Sequence, residues 1–258
     1  MTHLASQPMM NHVVSNEQNL RTFNIFKAIK VAFLPIFLAL LVSGTLDQFI
    51  NSKIEAILRS PQGLSQTIWF YGSVSIFSSL FFPLLISFFA SYALARSIQD
   101  QDYNQFIPNN LPDFIGEHFE LSFLETLRSW GKTFLWTFLF IIPGIVKFFL
   151  YMPVPFVVFF SKRYQAGEVD ALKLAQKIFK KHWFWLLVYM TMFTFILPMA
   201  LSLGMDQYRV FREYFVYASM LTAVDAVIVI IFHYYILKLI LKFIKDDDSK
   251  GQSYGLNV

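Results

Sequence analysis

The chain has 258 residues, of which 56% are hydrophobic and only 15% charged, whereas a soluble domain carries about 25% charged residues. So few charges cannot cover a water-soluble surface, and the absence of cysteine removes disulfides and thiolate chemistry or ligation. The net charge of +4 matters less than where the Lys and Arg residues fall.

Residues 1–27 form a polar N-terminal tail, with Arg21 and Lys27 toward its end. His3 and His12 are a weak metal signal, better read as ordinary tail histidines, and no metal or cofactor site is expected anywhere in the chain. No short apolar core followed by a small-residue cleavage site stands near the start, so the first span is expected to act as an uncleaved insertion signal. A single membrane domain is expected over 28–245.

The first two spans fall near 31–47 and 68–95; the first, with its interfacial flanks, is about the 20 residues that a hydrocarbon core of roughly 30 Å requires, and the second is longer. Pro35 lies near the start of the first, and Pro83 in the middle of the second. Ser73, Ser75, Ser78 and Ser79 in the second read as helix-packing residues rather than a substrate path. Ser97 to Glu120 is polar and carries Asp100, Asp102, Asp113 and Glu117. Asp100-Gln101-Asp102 runs on without the glycine that a calcium loop needs, which favours a solvated connector.

The third span is expected near 121–142, with Glu125, Arg128 and Lys132 sharing one face of its polar first half. Pro143 and Gly144 then interrupt the helix, because proline has no N–H to continue it. Thr133 to Phe160 either crosses once with a kink or folds back as a hairpin with a fourth span near 145–161. The positive-inside rule favours the hairpin: six spans with both termini cytoplasmic leave only Lys53, Arg59, Lys147, Arg209 and Arg212 outside, out of 21 Lys and Arg residues.

Glu168 to His182 reads as an amphipathic interfacial helix, with Lys173, Lys177, Lys180 and Lys181 on one face and Ala171, Leu172, Ala175, Ile178 and Phe179 on the other. Four lysines suffice to hold it on an anionic inner leaflet at about 1 kcal/mol each. A positive cluster that only sets topology is the plainer reading. The fifth span, near 183–203, begins with Trp183, Trp185 and Tyr189 as an aromatic belt and contains Pro198, where a kink is expected. The sixth, near 214–241, contains Asp225 and His233, eight residues apart and so about 80° apart around a helix. Ionisable groups inside a membrane invite a functional reading. Against it, Asp225 can pair with Arg209 or Arg212, and His233 can stay neutral and hydrogen-bonded. Residues 246–258 are expected to form a disordered tail.

Leu135-Trp136, Phe140-Ile141-Ile142-Pro143-Gly144-Ile145, Lys147, Tyr151, Pro155 and the Ala171-Leu172-Lys173-Leu174 helix leading to Lys181-His182-Trp183 form an ordered set of landmarks. In these the chain resembles the bacterial membrane family called domain of unknown function 975. It is more distantly similar to the membrane domain of glycerophosphoryl diester phosphodiesterases. The match covers about 60 residues, and Lys180-Lys181-His182 stands where the family commonly has Lys-Gly-His. The resemblance implies six helices in a membrane and no established activity. The phosphodiesterase chemistry belongs to a soluble barrel domain for which this chain has no room.

The fold expected is therefore all-α: an integral membrane helical bundle of about six transmembrane helices, with a Pro-Gly-broken hairpin and an interfacial amphipathic helix. No Gly-rich phosphate loop, His-Glu-x-x-His or Gly-x-Ser-x-Gly motif is present, which points away from an enzyme. The expected function is non-catalytic, in the bacterial inner membrane, binding an anionic lipid or a membrane-protein partner through the lysine face, with no nucleic acid. The alternative is a small transporter whose site is formed by Lys147, Asp225 and His233 at the broken helices. An enzymatic reading would gather Asp100, Asp113, Glu117 and His118 at the membrane surface. Single cysteines in this cysteine-free background test the topology. An impermeant thiol reagent should label Ser60→Cys in intact cells and spare Gln165→Cys, whereas labelling of Gln165→Cys would make residues 133–160 one kinked crossing.

Overall fold

A computed structural model describes residues 24–60, 66–99 and 119–254. The polar tail with His3 and His12, and the segment with Asp100, Asp102, Asp113, Glu117 and His118, lie outside the described residues. The described residues are helical, with no strands: α1 Ile25–Leu58, α2 Gln66–Gln99, α3 Phe119–Leu139, α4 Ile141–Tyr151, α5 Val154–Phe160, α6 Lys162–Gln165, α7 Ala171–Met190, α8 Leu197–Met205 and α9 Phe215–Tyr254. A π-helix, Thr191–Ile196, joins α7 to α8, and a 3-10 turn, Asp206–Arg209, follows α8.

Among the described residues, five stretches are long and apolar enough to cross a membrane: Ile25–Leu58, Gln66–Ile98, Ile141–Phe160, Ala171–Met205 and Phe215–Asp247. The expected span near 121–142 is not among them. Glu125, Arg128 and Lys132 all fall within any 18-residue stretch of α3, whereas each of the five contains an 18-residue stretch with at most two charged residues. Phe138, Ile142 and Leu203 are each more than 70% exposed. Such an apolar exterior is untenable in water and suits lipid.

Asn24 caps α1 by accepting the Lys27 N–H at 2.9 Å, and Pro35 and Pro83 remain inside α1 and α2. Asp47 on α1 accepts from Ser78 on α2, while His233 on α9 meets Ser87 further along α2. Gln48, beside Asp47, bonds Arg209 and Phe211 just ahead of α9, so α9 starts near the Asp47–Ser78 contact and reaches Ser87 only at His233; α2 and α9 run in the same direction, with α1 opposed to both. α5 is the hub. Val154, Phe156, Val157, Val158 and Phe159 are all buried, and α5 packs against α2, α3, α7 and α9.

The chain breaks before Pro143, at Phe140, whose φ of −154° and ψ of 127° are extended. α3 then packs along α4 and α5. Pro143 stands in the first turn of α4, where its missing N–H would have had no helical partner, so it starts the helix rather than breaking it. Gly144 is needed for proximity, since a Cβ there would lie 2.6 Å from the Thr137 Cα.

Three expectations need correction. The amphipathic helix begins at Ala171, not Glu168, because Asp170 caps it by accepting the N–H groups of Leu172 and Lys173. Its apolar face does not lie on a lipid surface: Ala171, Leu172, Leu174, Ala175 and Ile178 are buried in the protein. The 246–258 tail is not disordered at its start, since α9 continues to Tyr254. Ahead of Pro198 the helix widens into a π turn. Proline cannot donate to the carbonyl four residues back, and the preceding π turn shifts the ladder, with the Leu197 N–H reaching Met192 O.

Gly144→Ala should destabilise the bundle by about 1–3 kcal/mol through overpacking, seen as a lower Tm in detergent. Gly131→Ala, where an added methyl meets nothing within 4 Å, should leave the Tm unchanged or raise it.

Candidate functional site

Two polar assemblies sit at opposite ends of the bundle. At the basic end, α3, α6, α7 and α9 are tied by ion pairs. Arg128 Nη2 lies 2.7 Å from Asp170 Oδ2, and Arg128 Nη1 lies 3.4 Å from Glu125. The Tyr164 hydroxyl donates to Glu125 at 3.3 Å. Burial, then the Glu125 carboxylate beside it, pushes this phenol up to about 12. For Asp170, burial pushes the carboxyl up. The Lys173 N–H, the Arg128 guanidinium and the Leu172 N–H outweigh it and hold Asp170 below the usual carboxylate range.

α9 enters this assembly through its acidic end. Asp247 receives Arg163 Nη1 at 2.8 Å and Lys177 Nζ at 2.7 Å, and it is only 9% exposed. Lys181 Nζ lies 3.9 Å from Asp246 and 4.9 Å from the centre of the Phe243 ring. Arg163 also faces Glu168 at 3.4 Å. All four expected lysines, Lys173, Lys177, Lys180 and Lys181, are exposed on α7. Their exposure follows from the helical period, which turns the apolar face into the core and so leaves the lysines outward.

The opposite end is built around the segment that follows α8. Gln48 donates from Nε2 to Arg209 O at 2.6 Å and accepts the Phe211 N–H at 2.9 Å, clamping this segment with one side chain. The Phe211 ring lies against Gly44, where a Cβ would approach it to 3.0 Å. Arg209 reaches Asp225 with both terminal nitrogens, at 2.6 and 3.3 Å. From the Ser87–His233 contact, Ser78 is nine residues back along α2 and Asp225 eight residues back along α9. At 1.5 Å per residue these steps are about 13.5 and about 12 Å. Asp47–Ser78 and Arg209–Asp225 therefore form one polar layer at similar height.

The three residues of the expected intramembrane site are held apart, each by its own partners. Lys147 Nζ sits over Trp136 and Tyr151, 5.6 and 5.7 Å from their centroids. The Tyr151 hydroxyl accepts from Gln176 on α7 at 3.1 Å. Asp225 is engaged by Arg209. His233 is buried, with Nδ1 2.8 Å from Val229 O and Nε2 3.1 Å from Ser87 Oγ. A pocket between α4, α7 and α9 is lined by Phe149, Met152, Phe179, Leu186, Phe232 and Ile236, among others, and holds about 10 Å³, room for one water. Among the described residues no group of three or more His, Asp or Glu could hold a metal.

Asp47, Gln48, Gln165 and Asp247 escaped the sequence reading, whereas Ser78 was read as a helix-packing residue. Asp47 carried a signal, as the charge closing the first apolar run. The others lie where polar residues are ordinary, and no local pattern marks their distant partners. No family model matches the chain, and no curated protein or solved structure does either.

Breaking the Arg209–Asp225 pair from either side leaves a half-buried charge alone in apolar surroundings. Arg209→Ala and Asp225→Ala should each lower the Tm in detergent more than Arg212→Ala. The double variant should recover part of the loss, with a coupling of about 1–3 kcal/mol in a double-mutant cycle.

Proposed function

We propose that this chain is a non-catalytic, multi-pass protein of the bacterial inner membrane, with both termini cytoplasmic. It binds an anionic lipid, or a membrane-protein partner bearing acidic groups, through Lys173, Lys177, Lys180 and Lys181. One observation carries the reading: the four ammonium groups stand exposed along α7 while the opposite face of the same helix is buried. The helix is thus fixed by the core, and its charge is presented outward. Lipid binding requires no insertion of that face. Electrostatic attraction of about 1 kcal/mol per near-surface lysine is the driving term.

The extended break at Phe140 and the packing of α3 on α4 and α5 support a membrane hairpin in which 121–142 and 145–161 are separate crossings. With that hairpin the bundle has six spans, and the lysine face shares a side with Arg96, Arg128 and the end of α9. Six spans also agree with the likeness to domain of unknown function 975, on the Phe140 to Ile145 and Ala171 to Leu174 landmarks. The carboxylates of the inter-span segments contribute no recognised catalytic pattern to this reading.

The test is lipid-dependent stability of the purified protein. Adding phosphatidylglycerol to a neutral detergent should raise the Tm more than adding phosphatidylcholine. In the variant K173Q/K177Q/K180Q/K181Q the apparent affinity for phosphatidylglycerol should fall at least about tenfold. Equal shifts for both lipids, or an undiminished response in that variant, would overturn the reading.

A further inference from the structure

The lysine face is not uniformly free. Lys173 and Lys180 are exposed and have no ion pair among the described residues, whereas Lys177 and Lys181 are engaged by Asp247 and Asp246. Arg163, on a different helix, closes on the same Asp247 carboxylate. Three cations from α6 and α7 thus converge on two oxyanions supplied by the end of α9. The cations remain reachable from outside, Lys177 being 59% and Lys181 48% exposed at the side chain. Ile244 is the last apolar residue of α9 in the described core. Beyond it, ion pairs hold this helix end to α6 and α7.

We propose that Arg163, Lys177 and Lys181 form a site for the phosphate of an anionic lipid headgroup, and that Asp246 and Asp247 occupy it as an intramolecular latch. The inference rests on the lipid-binding reading above and names the part of the surface that is regulated. A carboxylate and a phosphodiester present the same kind of acceptor oxygens to a guanidinium and an ammonium group. A headgroup first held by Lys173 and Lys180 stands on the same helix face as the latched site. Exchange of carboxylate for phosphate releases the end of α9 from α6 and α7, so its position reports the charge of the surrounding leaflet. Because the acidic residues are tethered beside the cations, they compete at high effective concentration. Only a leaflet rich in anionic headgroups displaces them.

The full chain in nanodiscs of phosphatidylcholine with increasing phosphatidylglycerol tests this. The variant D246N/D247N should bind phosphatidylglycerol about fivefold more tightly than the unaltered chain, and adding K177Q/K181Q should abolish the gain. D246N alone, at a position half exposed, should show part of the gain and guards against misfolding of the double variant. A nitroxide on Ser253→Cys should gain mobility as phosphatidylglycerol rises in the unaltered chain, and should already be mobile without it in D246N/D247N. Unchanged or weaker binding in both Asn variants, while K173Q/K177Q/K180Q/K181Q still loses affinity, would overturn the latch and leave the lysine-face reading intact. If the four-lysine variant also binds normally, both readings fall. Release of the label by inorganic phosphate as readily as by phosphatidylglycerol would overturn a lipid as the ligand.

Discussion

A helix end inside an apolar bundle must have its carbonyls satisfied, and in this fold one glutamine does so. The Gln165 side-chain amide donates to Phe159 O at 3.0 Å and to Val158 O at 3.4 Å, at the C-terminal end of the buried α5. Ser161, fully buried between α5 and α6, accepts the Tyr164 N–H and turns the chain out of the core. Each carbonyl left unmet at this helix end would cost roughly 1–3 kcal/mol. A seven-residue helix can therefore sit at the centre of the molecule, with α2, α3, α7 and α9 packed around it.

That placement accounts for much of the remaining architecture. In lipid the hydrophobic effect does not drive helices together, and close packing must do so. The side chains at the hub interdigitate as aromatic layers: Tyr92 meets Phe159 edge-on at 5.5 Å, and Phe88 meets Phe119 and Phe123. α7 spends its apolar face on this core, which is why the four lysines emerge as a row. The charges of α3 fall at the basic end for the same reason, since Arg128 has to reach the cap of α7 at Asp170.

The apolar runs, the discontinuity near Pro143, the pairing of Asp225 with one of Arg209 and Arg212, and the lysine row were legible in the sequence. Each is written in residues adjacent in sequence or set by a helical period. The break itself was displaced by three residues, because proline is tolerated in a first turn and the extended residue is Phe140. α5 was not legible as a hub: an apolar run of seven looks the same whether lipid or protein surrounds it. The continuation of α9 was hidden because Asp246 and Asp247 read as a soluble tail until Arg163 and Lys177, 84 and 70 residues away, come alongside. Of Lys147, Asp225 and His233, the last two were already expected to find separate partners, whereas the rings of Trp136 and Tyr151 that hold Lys147 emerge only from packing.

Arg163 and Gln165 stand two residues apart on a single turn of helix, α6. One is bonded to the last charged layer of α9, the other to the carbonyls of the innermost helix. A surface charge and the buried centre of the molecule are thus joined through about 3 Å of backbone rise. The ion pair at the perimeter and the cap on α5 therefore share one turn of helix, and a shift of Arg163 is felt by the Gln165 amide two residues on.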